Sequence, residues 1–165
     1  MRFVMFVVGS VAIVVVIAIT LVLGGLVSNS PPLRDPPGVW VRLVAYFSSN
    51  IAETREDNPF PELRPRRYNL SADELYCGAR EAIQELGWKA RREDQNKLEV
   101  EAVVTTPLWR FKDDVRIRIE PGPLVNTVYV CSKSRIGKGD LGANILHVLD
   151  FYEGLDRRLR ENASQ

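Results

Sequence analysis

The chain has 165 residues, room for one compact domain and an appendage, since single domains commonly run about 100–150 residues. Its 22 Lys and Arg balance 21 Asp and Glu. No strong field of either sign steers a polyanion towards it, and a nucleic-acid partner is not expected.

The amino terminus is the most informative stretch. Positions 3 to 27 carry no charge, and the run VAIVVVIAITLVL is dense in β-branched residues. About 20 such residues cross the hydrocarbon core of a bilayer. A cleaved signal peptide has a shorter apolar core, of roughly 7 to 15 residues, so residues 1–28 read as an uncleaved transmembrane anchor. Arg2 and the amino terminus favour a cytoplasmic start, while Arg34 and Arg42 oppose it, partly offset by Asp35. The expected setting is a bacterial inner membrane, crossed once, with the C-terminal domain in the periplasm. Cys77 and Cys131 fall on opposite outer faces by periodicity, and no disulfide between them is expected.

Residues 29–61 form a Pro-rich spacer and a membrane-proximal segment. PPLRDPPG is stiff and extended, because proline fixes φ and lacks an amide donor. Val39 to Glu53 is apolar enough for a short helix or a strand, and NPFPELRPRRYNL reads as irregular chain with a basic knot at Arg64, Arg66 and Arg67. Those arginines suit a solvated linker or contact with lipid headgroups. Trp40 is expected at the membrane interface, and Trp88 and Trp109 at the sheet or core edge.

Residues 62–161 form the domain. Ser71 and Glu74 are spaced as a capping box, Leu75, Ala79, Ala82, Ile83 and Leu86 share a helical stripe, and Gly87 ends it. Four strands follow. WKARRED is short; LEVEAVVTTPL, DDVRIRIE and NTVYVCSKS alternate apolar and polar residues, as antiparallel strands with one packed face do. Glu99, Glu101, Arg116 and Arg118 are expected to pair on the wet face. Asp140 caps a last helix whose stripe runs through Leu141, Ile145, Val148, Leu149, Tyr152, Leu155 and Leu159. The fold class is α+β: a two-layer domain in which an N-terminal and a C-terminal helix cover a four-stranded antiparallel sheet, preceded by one transmembrane helix.

The chemistry-bearing residues converge on one end of this sheet. A hairpin between Glu120 and Asn126 brings the start of one strand, Asp113 and Asp114, to the end of the next, Ser132, Ser134 and Arg135. Asp140, Asn144 and His147 lie beside the buried stripe of the last helix. Catalytic candidates are Asp113, Asp114 and His147; adjacent aspartates on a strand point to opposite faces, so one carboxylate is a better candidate than a dyad. Ligand-binding candidates are Ser134, Arg135, Gly137, Asp140, Gly142 and Asn144. SKSRIGKGDLGAN has neither P-loop nor Rossmann order, although its glycine amides with Arg135 and Lys138 suit an anionic group. The plainer reading is architectural: a turn, a helix cap, and an ion pair of Arg135 with Asp113 or Asp114. No CxxC, HExxH or second His is present, so neither a metal nor a cofactor is expected.

LGW at positions 86–88, FKDDVRIR at 111–118 and SKSRIGKGDLGAN at 132–144 together resemble the bacterial and plant family known as domain of unknown function 1499, over roughly Glu62 to Leu159. The resemblance implies a protein often carrying an N-terminal signal or membrane segment, and supplies no reaction, substrate or ligand. The family motif residues it carries onto this chain are Asp113, Asp114, Ser134, Arg135, Gly137, Asp140, Gly142 and Asn144.

The leading expectation is a membrane-anchored periplasmic domain, more a binding module than an enzyme. It binds an envelope component through the rim between sheet and last helix; the partners considered are an envelope lipid, an anionic metabolite or a membrane protein. One alternative is a small envelope hydrolase using Asp113 or Asp114 with His147 and Arg135. Another is a structural assembly factor of membrane complexes, which an exposed apolar patch over Val39 to Phe47 would favour.

Overall fold

The computed structural model describes residues 2–162 and Ser164. Helix α1 (Arg2–Asn29) contains a segment, Val7–Asn29, long and apolar enough to cross a membrane, and its most apolar window is buried against nothing in the protein. Only its last turns touch the domain: Leu26 packs on the core, and the Asn29 amide donates to the carbonyls of Asp140 and Leu141.

The domain is larger than the expected four strands and two helices. The chain forms α2 (Val39–Ser48), β1 (Ile51–Glu53), a 3-10 turn (Pro61–Leu63), β2 (Arg66–Tyr68), α3 (Ala72–Glu85), β3 (Lys89–Asp94), β4 (Glu99–Thr105), β5 (Lys112–Glu120), β6 (Asn126–Ser134) and α4 (Ala143–Asn162). The sheet has six strands, in the order β1-β6-β5-β4-β3, with β2 also paired to β6. All pairings are antiparallel. Strands β4, β5 and β6 sit where alternation puts them, and β3 on the short segment expected before them. The correction lies in β1 and β2, which bind end to end along one edge of β6, β1 against residues 131–133 and β2 against 126–128. Three residues are too few to show a period, and here their place is set by the free edge of β6. With α1 and α2, the chain has four helices among the described residues.

The inner face of the sheet is apolar through Val100, Ala102, Val115, Ile117, Ile119, Val128 and Val130, and α3 and α4 cover it with Leu75, Ala79, Ile83, Val148, Phe151, Tyr152 and Leu155. Helix α3 begins with the capping box of Ser71 and Glu74. On the outer face Arg116 reaches Glu99 and Glu101, whereas Arg118 turns to Glu120 and lies over the Tyr129 ring. Arg66 and Tyr68 both bind Asp156 of α4, and Arg67 pairs with Glu56. The basic knot is thereby tied into the fold.

Helix α2 is bound by a buried guanidinium. Arg42 is wholly buried, and its donors are all used: Nε donates to Asp35 O, Nη1 to Glu62 Oε1 and Tyr46 Oη, and Nη2 to Glu62 Oε2 and Pro36 O. The Phe60 ring lies 4.9 Å from the guanidinium carbon. One side chain thus joins the proline-rich turn, α2 and the 3-10 turn, and Tyr46 and Ala52 of the same region belong to the main core. Removing one partner of a buried ion pair leaves the other charge unpaired, which costs about 3–5 kcal/mol. Arg42→Ala is expected to lower unfolding stability by about 3 kcal/mol or more, and Arg42→Lys to restore little, because a lysine cannot supply the fork; chemical denaturation with matched m-values checks both.

Candidate functional site

Alternation along β5 and β6 does not stop where the apolar residues do. Continuing two residues beyond Val115 places Asp113 on the inner face, and continuing beyond Val130 places Ser132 and Ser134 there. Asp113 stands opposite Ser134 in register, and Val115 opposite Ser132. At this end the core face of the sheet therefore turns polar, and α4 meets it with Asn144 and His147, both buried.

Asn144 organises the cluster. Its Oδ1 accepts from Ser132 Oγ at 2.5 Å, and the two hydrogens of its Nδ2 serve three acceptors: Asn50 O at 2.9 Å, Ser134 Oγ at 2.9 Å and Asp140 Oδ2 at 2.5 Å. Asp140 caps the start of α4, accepting from Gly142 N and Asn144 N. Burial pushes its carboxyl up, and the Asn144 and Gly142 N–H groups pull it back. Asn50 closes the circuit, accepting from Ser134 N and donating to Gly137 O.

Two glycines in the loop answer to close approaches. A Cβ on Gly139 would lie 2.3 Å from Phe47 O, and one on Gly142, where φ is +82°, would lie 2.5 Å from Pro31 Cβ. Any side chain would drive the loop off α2 and the proline turn. Gly137 is also left-handed, at φ +93°.

The candidate residues separate into two groups across the sheet. Asp113, Ser134, Asp140, Asn144 and His147 come together on the inner face, with Ser132. Asp114 points to the outer face, where Arg135 grips it with Nε at 2.9 Å and Nη2 at 2.6 Å. That pair holds the Asp114 carboxyl below its ordinary range. Arg135 therefore faces away from Asp113 and His147, and cannot hold a substrate between them without leaving Asp114.

His147 is 6 % exposed, stacked edge-on against Trp88, and burial lowers its pKa to about 4. Its Nδ1 faces both Ser132 Oγ at 3.2 Å and Asp113 Oδ2 at 3.7 Å. Since the Ser132 hydroxyl donates to Asn144, Nδ1 carries the proton and donates to Ser132. A nucleophilic relay needs hydroxyl and carboxylate on opposite ring nitrogens. Here both crowd one nitrogen, and Ser132 is buried, so the trio has the composition of such a relay without its geometry.

Asp113 is the exception in this satisfied network. It is completely buried, and neither carboxylate oxygen has a hydrogen-bond partner. Burial pushes its pKa up; the Ser134 hydroxyl lowers it in part without reaching bonding geometry, and the Asp140 charge raises it further. Asp113 lines a cavity of about 220 Å³, together with Ser134, Asp140, Gly25 and Asn29 of α1, and Thr106, Leu108, Trp109 and Phe111 of the β4–β5 loop. The wall also includes Ile136, Gly137 and Leu141, and no Lys, Arg or His contributes to it. The β4–β5 loop, α1 and Asn50 are the parts the motifs did not indicate. The signal was TTPLWRF, an apolar cluster in a connection where polar turn residues are the rule.

The family described as "Protein of unknown function (DUF1499)" matches residues 31–155. The chain belongs to this family. The match opens at the proline turn directly after α1, ahead of the sequence motifs, and so takes in α2 and the Arg42 cluster as well as the sheet. Comparison with curated proteins gave no match.

Asn144→Ala is expected to cost about 3 kcal/mol or more, because it strands buried partners on three segments, each at about 1–3 kcal/mol. Arg135→Ala, removing only an exposed pair, is expected to leave the midpoint almost unchanged; parallel thermal and urea unfolding distinguishes the two. As the sole histidine, His147 is directly observable by NMR, and should appear as the Nδ1–H tautomer titrating near pH 4. Its folded pKa lies below the ordinary 6.5, so it contributes stability present above pH 6.5 and lost as pH falls towards 4, about 3 kcal/mol in all. Asp113 and Asp140, with raised pKa values, act oppositely, contributing most at low pH and losing it as pH rises. The His147 share is read as the difference in pH slope between wild type and His147→Gln.

Proposed function

We propose that the protein is a single-pass anchored domain of a bacterial inner membrane, facing the periplasm, that binds an envelope component without acting on it chemically. The binding place is the cavity between the end of α1, the β4–β5 loop and the loop carrying SKSRIGKGDLGAN. The observation that carries this reading is the Asp113 carboxylate. A buried polar group without a partner costs about 1–3 kcal/mol, more when charged, and buried polar groups are almost always paired. Here the group lines a largely apolar cavity surrounded by a network otherwise satisfied. A ligand donating to Asp113 supplies the missing partner. Arg2 and the amino terminus support the orientation, with Arg34 and Arg42 on the far side of α1 opposing it and Asp35 offsetting them in part.

A second reading is supported by α2. One side of this helix buries Arg42 and Tyr46, while Trp40, Val44 and Phe47 are exposed on the rest. That is the patch expected of an assembly factor docking on a membrane protein. The hydrolase reading rests on the proximity of Asp113 and His147, and the placement of Arg135 and the shared Nδ1 weigh against it.

Native mass spectrometry of the full chain released from its own membrane in a mild detergent distinguishes these readings. A small-molecule adduct is expected on wild type and on Asp114→Asn, reduced severalfold on Asp113→Asn. An adduct-free wild type, with a membrane protein retained unless Trp40 and Phe47 are changed to Ser, would replace the cavity reading with the assembly reading.

A further inference from the structure

The place where α1 meets the domain fixes the depth of the cavity relative to a bilayer. Helix α1 has 28 residues, about 42 Å at 1.5 Å per residue. The hydrocarbon core takes about 30 Å of this, and core plus headgroups about 40–45 Å. Centred on the core, α1 leaves about four residues beyond it at each end, so Gly24 and Gly25 stand at the boundary between hydrocarbon and headgroups. A Cβ on Gly24 would lie 3.9 Å from Leu108 Cδ2, and one on Gly25 would lie 3.8 Å from Trp109 Nε1 and 2.5 Å from Leu141 Cδ1. The β4–β5 loop is therefore held at the level of Gly24 and Gly25, at that boundary. Its residues suit the position: Leu108, Trp109 and Phe111 are exposed, as is Ile136 opposite them, and tryptophan favours the interface.

These exposed residues are also the outer wall of the cavity, with Asp113 and Ser134 deeper in it. A molecule entering between them comes from lipid, not from bulk water. The cavity, about 220 Å³, is smaller than the roughly 300–1,000 Å³ of pockets that enclose a whole ligand. It accommodates a small head and the first methylenes, with the rest of the chain outside among the lipids. Its polar lining includes two carboxylates, of which Asp113 has both oxygens free, and no cationic side chain. A head that donates hydrogen bonds finds acceptors there, and no described cationic side chain draws an anionic head in.

We infer that the cavity takes the head of a membrane amphiphile, an amine or hydroxyl on an apolar chain, entering laterally from the bilayer and bound through Asp113. This rests on the binding reading above and narrows it to a ligand class and a route.

The test uses the full chain in phosphatidylcholine nanodiscs and three hexadecyl probes carrying a mid-chain diazirine, with an amine, a hydroxyl or a phosphate as head. After photolysis, labelled positions are read by peptide mass spectrometry and normalised to labelling of residues 7–23. The expected result is labelling of residues 106–111 and 136–141 by the amine probe, the hydroxyl probe or both, above that by the phosphate probe. Asp113→Asn should reduce it about tenfold, the equivalent of one charge-assisted hydrogen bond, and Asp114→Asn should not. The amine and hydroxyl arms identify which head is preferred. Equal or stronger labelling by the phosphate probe, or labelling indifferent to Asp113→Asn, overturns the inference. If all three probes leave these segments unlabelled while the native adduct is still lost on Asp113→Asn, the lipid route fails and cavity binding stands; if the adduct is absent as well, both fail.

Discussion

The Asn144 carboxamide is the constraint on which the rim of this domain depends. It binds the end of β6, the chain entering β1 and the cap of α4 through one planar group. Asn50 is 94 residues from Asn144 in sequence, and no other described side chain at the rim bonds all three segments. With this group in place, the SRIGKGDLG loop is drawn close enough to α2 and the proline turn to need glycine at 139 and 142. The same loop forms one wall of the cavity and receives the Asn29 amide from α1. Hydrogen bonding at one residue thus sets how α1 meets the domain.

Two buried ionisable side chains make an instructive contrast. Arg42 and Asp113 are each fully buried. Every donor of Arg42 is satisfied within the fold, and its energetic role is complete without any other molecule. Asp113 has no such partner. Partners are within a few ångströms in His147 and Ser134, yet the imidazole proton goes to Ser132 and the Asn144 amide to Asp140, Asn50 and Ser134. The network is arranged around Asp113 without including it, which is why the binding reading rests on it and not on the more conspicuous Arg135.

Much of this was legible from residue order. Period-two alternation located β4, β5 and β6, and the Ser71–Glu74 spacing located the start of α3. Taken two residues further, the same alternation assigns Asp113 inward and Asp114 outward, so the separation of these neighbours was readable. The pairing of Arg135 was readable only as a choice between them. Strands β1 and β2 were not legible, since each has three residues and is defined by what it pairs with. Nor was the burial of Arg42: in sequence it is a charge after an apolar span, and its meaning comes from Glu62 and two carbonyls brought to it by the fold. The family motifs marked one wall of the cavity; the opposite wall is made of generic apolar residues whose significance is their nearness to α1.

The two edges of the sheet have a bearing on how the molecule lives among its copies. One edge consists of β1 and β2, three residues each, set end to end along β6 and too short to offer another chain a long row of free backbone. At the other edge, β3 reads KARRED, is exposed from Lys89 to Glu93, and loses register between Ala90 and Arg92. A charged, irregular edge is a poor template for strand addition. Anchored proteins are confined to two dimensions and collide often, and a sheet with an open flat edge would be prone to polymerise there. Here one edge is short and the other charged, so collisions between copies need not build a fibre.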